Sequence, residues 1–419
     1  MLLRFRVANF MSLRDEQELS FVVDQYGAPD ARDAGVTIDG KAVQVHTVAG
    51  VYGANAAGKS NLLRAMEFMR SAVLDSHAEW AKGEGVPRKP FAFDPVHANE
   101  PSFFEIDVVL GNPPVHYTYG FSLSDRRVES EWLYAYPGTR RHTRQVLFNR
   151  DTSARVPFEF PGENLKGPKA TLAKLTRENA LFLSTAAANN QQQLGALQRW
   201  FADNFWLVTP ERGRKARENY SRRQMLGRFK SRIEGLLQHA DMGIEGIEAI
   251  PRDPDPPEIR FVHRTGTERV TLDFADESLG TRTWFAMLGP ILLSLSQGAV
   301  LLVDELDASL HPAISAEVIR LFNDPEANSE NAQLVFTSHD TALFGYLPGG
   351  RPLDRAQVWL TEKNDDGATD LYPLTAAKPR PDENLYRGYH EGRYGAKPQF
   401  SPGELAWWIR LEKAAEGEN

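Results

Sequence analysis

At 419 residues the chain exceeds one ordinary core and implies two or three lobes. Its 42% hydrophobic and 25% charged residues are those of a soluble globular protein, and a net charge of −8 argues against a uniformly basic nucleic-acid coat while leaving local patches open. The absence of cysteine excludes disulfides, thiol catalysis and cysteine-ligated metals, and fits a reducing, cytoplasmic setting.

Along the chain, residues 1–7 alternate apolar and basic side chains as a strand does and lack the apolar core of a signal peptide. No apolar run reaches the roughly 18 residues that a membrane span requires. Residues 1–50 read as strands and turns leading into "GANAAGKSN", residues 53–61. Gly53, four intervening residues and Gly58-Lys59-Ser60 form a phosphate-loop pattern between an apolar strand and a helix in which Leu62, Leu63, Met66, Met69 and Val73 share one face. The glycines let backbone N–H groups turn inward on a phosphate, and the helix N-terminus adds a favourable dipole. Lys59 is expected to reach the β- and γ-phosphates, and the Ser60 hydroxyl to ligate Mg²⁺.

From Phe91 to about Phe160, short alternating runs separated by turn signals predict an antiparallel sheet. Residues 168–240 look helical and contain a basic stretch, Arg212 to Arg232, opposed only by Glu218. That stretch suits a nucleic-acid backbone, an acidic partner or a solvated helix face, and only Tyr220 and Phe229 interleave for base stacking. Strands return at about 258–274. Next, Ser278 and Gly280 in "DESLGT" precede a helix, with the S-x-G spacing of an ABC signature; an ordinary helix N-cap gives the same pattern.

Two continuous apolar runs, 299–303 and 334–336, have the texture of strands buried on both faces of a parallel sheet. The first ends in Asp304-Glu305. Adjacent strand residues point oppositely, so Asp304 can hold Mg²⁺, directly or through water, while Glu305 orients and deprotonates the attacking water. The second is followed by His339, at the sheet edge where α/β proteins place ligands, in reach of a γ-phosphate. A final helix is expected from Ser401, with Pro402 at its first position and a capping box to Glu404.

In this order, the phosphate loop, the S-x-G helix, "VDELDASLHP" and "TSHD" resemble the ABC-type ATPases of the SMC/RecF/OLD group, and more narrowly the AAA-domain ATPases of bacterial anti-phage defence and abortive-infection operons. "RVANFMSLRDEQELSF", "PFAFDP", "RENALFLSTAA" and "ENLYRGYHEGRYGAKP" extend the similarity over most of the chain. The resemblance implies an α/β phosphate-loop NTPase fold of ABC type: a mixed central sheet, an antiparallel β lobe and an inserted helical subdomain. Residues 1–160 and 246–375 would form the two parts of the ATPase core, 161–245 the helical insertion and 376–419 a tail.

It also implies a Mg²⁺-dependent ATPase whose two copies, or a higher homo-oligomer, face head to tail. ATP would lie between Gly53, Asn55, Gly58, Lys59, Ser60, Asn61, Asp304, Glu305 and His339 of one copy and Ser278, Gly280 and Thr281 of the other, with residues 307–311 crossing the interface. Two departures stand out: the signature is ESLGT, and the glutamine-loop position is left to the neighbourhood of 91–95. Nothing in the sequence resembles the metal-dependent nuclease domain fused to OLD proteins, so a separate effector, a nuclease or RNA-targeting protein, is expected, with the tail from Asp382 through Trp407-Trp408 as a candidate docking element or simply a packed helix. A RecF- or SMC-like DNA-binding repair ATPase is the alternative.

Overall fold

A computed structural model describes residues 1–23, 28, 30–83, 85–138, 143–209, 213–240, 243–308, 310–380, 383–397, 403–404 and 406–410. Strands β1 (Leu2–Ala8) and β2 (Gln17–Ser20) form a hairpin, and β3 (Arg32–Ile38) pairs with β4 (Lys41–Val45). Strand β5 (Val48–Gly53) is buried at every residue, as an apolar run between two layers must be, and feeds helix α1 (Lys59–Asp75). Leu62, Leu63, Met66, Met69 and Val73 of α1 are all buried, the face that their spacing predicts.

After the short helix α2 (Pro95–Asn99), the alternating runs become β6 (Ser102–Leu110), β7 (Val115–Leu123), β8 (Val128–Tyr136), β9 (Gln145–Asp151) and β10 (Phe158–Glu159). They join β1 and β2 in an antiparallel seven-stranded sheet, order β10-β9-β8-β7-β6-β1-β2.

Helices α3 (Lys169–Leu175), α4 (Phe182–Ala188) and α5 (Gln192–Asp203) follow. The helical reading of 168–240 fails next: Phe205–Val208 is a strand, β11, parallel to β15 (Val300–Val303). Four apolar residues directly after a helix carry too little periodicity to separate strand from helix. Helices α6 (Arg214–Gln224) and α7 (Lys230–Ala240) precede a three-stranded sheet, β12 (Ile244–Ile250), β13 (Glu258–Thr265) and β14 (Glu268–Asp273). The chain continues through α8 (Leu279–Gln297), β15, α9 (Pro312–Asn323), β16 (Gln333–Thr337), β17 (Val358–Lys363), β18 (Thr369–Pro373) and α10 (Leu385–His390). Residues 401 and 402, where the last helix was expected to start, lie outside the described residues; residues 406–410 are helical, with Trp407, Trp408 and Ile409 exposed.

The second large sheet runs β11-β15-β16-β5-β17-β18, parallel except for β18. Its alternate residues supply two cores: Ala49, Val51, Val300, Leu302 and Val335 pack with α1 and the antiparallel sheet, whereas Val48, Tyr52, Leu301, Val303, Leu334 and Phe336 pack with α8 and α9. The fold is thus an α/β sandwich with a mixed central sheet and an antiparallel β lobe. Parallel pairing brings the C-terminal ends of β5, β15 and β16 to one edge, where Gly53, Asp304 and Thr337 sit.

Candidate active site

Gly53 ends β5 and Gly58 precedes α1, and each glycine is required by its surroundings. A Cβ on Gly53 would lie 2.4 Å from the Thr361 carbonyl oxygen, and one on Gly58, at φ +100°, would lie 2.1 Å from Thr369 Oγ1. No side chain caps the N-terminus of α1, so its N–H groups face the loop. The floor beneath is a hydroxyl cluster: Thr369 Oγ1 donates to the Ala57 carbonyl (2.9 Å) and lies 2.8 Å from Ser12 Oγ, to which Asn61 Nδ2 donates (2.7 Å). The Asn61 side chain therefore anchors the loop from behind, while Asn55 is exposed on the loop itself. Lys59 Nζ donates to the carbonyls of Gly53 (2.9 Å) and Ala54 (3.1 Å). Burial lowers its pKa, opposed by the carboxylates of Asp304, Asp307 and Glu305.

The carboxylate of Asp304, buried beyond β15, collects two hydroxyls on one oxygen: Ser60 Oγ at 2.8 Å and Thr337 Oγ1 at 2.7 Å. Thr337 Oγ1 also accepts from the Glu305 backbone N–H (2.7 Å), and Asp304 N–H donates to the Val208 carbonyl of β11 (2.8 Å). Glu305 has φ +54° and is exposed. A left-handed turn just past the strand, rather than strand alternation, accordingly leaves Asp304 inside and Glu305 out. Ser60 and Asp304 are hard oxygen donors that fit Mg²⁺, which takes one or two protein ligands when phosphate oxygens complete its shell. Among the described residues no group of three His, Asp or Glu side chains could hold a metal ion by itself.

His339 is exposed; its N–H donates to both Asp307 oxygens (3.3 and 3.4 Å), and it lines a cavity of about 280 Å³ together with Gly53. Ser309, inside the expected interface segment 307–311, lies outside the described residues. Ser278 is an N-cap within its own chain: its Oγ accepts from Thr281 N–H (3.1 Å) at the start of α8. Gly280 and the buried Thr281 belong to that same helix start, fixed to β13 by the His263–Glu277 pair. At the expected glutamine-loop region, Phe91 is buried with its N–H on Asn9 Oδ1 (2.8 Å), and Phe93 is 71% exposed.

A family profile described as "AAA domain, putative AbiEii toxin, Type IV TA system" matches residues 48–345, more than half of the chain. The chain belongs to this AAA-domain family. Three solved structures are similar to it. The SMC head domain from Thermotoga maritima has 12% identity and a TM-score of 0.42, with 89% of this chain and 98% of that one covered. An Smc head bound to the C-winged helix domain of ScpA has 15% identity and a TM-score of 0.41, covering 93% and 99%. The recombination mediator protein RecF of the RecFOR pathway has 13% identity and a TM-score of 0.28, covering 88% and 98%. No curated protein matches the chain.

The AAA-domain match contains the phosphate loop, Ser278, Asp304, Glu305 and His339 and ends before β17. Sequence reasoning missed Thr337, Ser12 and Thr369, because serines and threonines are common and only the fold places these three. The basic stretch was read apart from this site, whereas two of its arginines, Arg214 and Arg217 of α6, line a second cavity, about 90 Å³, with Asp304, Glu305 and Thr209. Of the basic stretch, Arg212 lies outside the described residues. Arg214 pairs with Glu218 (3.0 Å), and Arg222 lies over the Phe274 ring (4.3 Å). Burial lowers the pKa of both Arg217 and Arg222. Lys215, Arg223, Arg228, Lys230 and Arg232 remain exposed.

Proposed function

We propose that this AAA-domain protein hydrolyses ATP to ADP and phosphate with Mg²⁺, assembles head to tail around the nucleotide as a dimer or higher homo-oligomer, and thereby controls a separate effector in cytoplasmic anti-phage defence. One observation carries the ATPase reading: Ser60 and Thr337 converge on one oxygen of Asp304 while Glu305, one residue on, is turned outward. In this reading Lys59 leaves the loop carbonyls for the phosphates, the α1 amides and Gly58 receive them, and Ser60 and Asp304 hold the metal, which neutralises charge on the phosphate oxygens. Glu305 takes the proton of the attacking water, and His339 faces the terminal phosphate. The start of α8, with Ser278 exposed and Gly280 half-buried, is the surface offered to the second copy. The defence role is supported by the family's description, which names a toxin of a type IV toxin–antitoxin system. The exposed Trp407 and Trp408 are the surface offered to the effector.

Glu305→Gln should lower phosphate release by about 10²–10⁴-fold, the range of general-base catalysis. ATP-bound dimers should accumulate in light scattering at the same time. Turnover at the wild-type rate would remove Glu305 from the base role. A second reading, a RecF- or SMC-like DNA-binding ATPase, draws its support from the five exposed cations between Lys215 and Arg232.

A further inference from the structure

The segment 385–397 lies beyond the AAA-domain match and has no part in the site as described so far. It is α10 followed by a tight return, and it is rigidly built. Tyr389 OH donates to the Ala396 carbonyl (2.9 Å), Tyr372 OH donates to the Tyr394 carbonyl (3.0 Å), and Tyr394 OH donates to Glu383 (2.8 Å). Gly388 admits the Tyr394 ring, since a Cβ there would lie 2.3 Å from its hydroxyl. This hook forms one wall of the 280 Å³ cavity that Gly53 and His339 line, contributing Tyr389, His390 and Lys397; Ser338, Thr341 and Tyr52 complete the lining.

The wall is rich in hydrogen-bond donors. His390 Nε2 lies 2.9 Å from Thr341 Oγ1, so one nitrogen orients the ring. Lys397 is exposed at the rim and forms no ion pair among the described residues. Tyr52 is fully buried, and its hydroxyl has no hydrogen-bond partner among the described residues. Burial, with the charges of Asp340 and Asp307, raises the pKa of that phenol well above its ordinary value and keeps it a donor in need of an acceptor. Of the two carboxylates, Asp307 accepts from His339 N–H and Asp340 Oδ1 from Ala342 N–H (3.0 Å), while Asp340 Oδ2 is buried without a partner among the described residues. A buried O–H lacking an acceptor, two imidazoles and an unpaired ammonium around a cavity of this size call for a compact anion.

We propose that this cavity is an anion site for the terminal phosphate of the bound nucleoside triphosphate, and that Lys397 and His390 of the hook are its donors alongside His339. The proposal rests on the nucleotide reading of residues 53–61. Its consequence is that the hook adds to the discrimination between triphosphate and diphosphate.

Calorimetric titration of the full chain with the imido analogue of ATP, with ADP, and with ADP plus inorganic phosphate tests it. Lys397→Ala and His390→Gln should each weaken the analogue by about tenfold, the worth of one charge-assisted hydrogen bond, and leave ADP unchanged. Lys397→Arg should retain most of the preference. Unchanged affinities for both nucleotides, or equal losses for both, overturn the proposal. Loss of inorganic phosphate binding with an intact preference for the analogue makes the cavity a free-anion site and overturns it as well. Failure of the wild-type chain to bind any nucleotide refutes the reading of residues 53–61 itself, and the hook assignment with it.

Discussion

Gly58 illustrates how tightly single positions are constrained. Its φ of +100° disfavours any side chain, and a Cβ would strike the Thr369 hydroxyl. Gly58→Ala should therefore destabilise the fold by only about 1–3 kcal/mol, the cost of a strained backbone, yet lose nucleotide binding because the loop must shift off its floor. Denaturant melts and an ADP titration check both halves; wild-type ADP affinity would refute the argument. The phosphate loop was legible because its nine residues are contiguous and its geometry demands glycine, lysine and serine at fixed spacing. Ser12, Thr337 and Thr369 come from three other places in the chain and become neighbours only through strand pairing. Glu305 was legible as an acid but not in its orientation, because nothing in "VDELD" announces the left-handed turn that exposes it.

Among the elements, α4 rests on a buried charge. Glu131 on β8 is fully buried and accepts N–H bonds from Phe182 (2.6 Å) and Leu183 (2.9 Å) and the Tyr119 hydroxyl (3.0 Å). Arg150 on β9 stands 3.7 Å from it and donates to the carbonyls of Arg177, Glu178 and Ala180. Burial raises the Glu131 pKa and lowers that of Arg150, each opposed by attraction to the other. Removing the cation leaves a buried carboxylate and three carbonyls without their donor. Arg150→Ala should accordingly cost about 3–5 kcal/mol in denaturant unfolding, and a loss below about 1 kcal/mol would refute the pairing. The motif "RENALFLSTAA" is thus a junction, in which Arg177 and Asn179 also bind backbone carbonyls near residues 76–85. Elements with a long period, such as α1 and β6–β8, could be read from the sequence alone. Strand β11 could not, because its identity is conferred by β15 beside it.

For the molecule as a whole, the net charge of −8 coexists with five exposed cations, Lys215, Arg223, Arg228, Lys230 and Arg232, on and between α6 and α7. If these cations track a phosphate backbone through five contacts, log affinity should fall with log salt at a slope of about −4.5. Replacing Arg223, Arg228 and Lys230 by Ala should reduce the slope by about 2.7. No binding at low salt excludes the DNA reading and leaves the effector reading standing.

The hydroxyl floor under the phosphate loop also bears on how the chain is made. Thr369 and Ala57 are 312 residues apart, and Gln333 similarly ties Leu2 from a separation of 331 residues. At about 5–20 residues per second, the ribosome needs roughly 15–60 s after completing the loop before its floor emerges. For that interval the nascent polypeptide displays Gly53–Ser60 without the scaffold that shapes them. A translation product stalled short of β18 consequently lacks the Thr369 hydroxyl that holds the Ala57 carbonyl, so the loop reaches its final shape only once the last strand of its sheet is made.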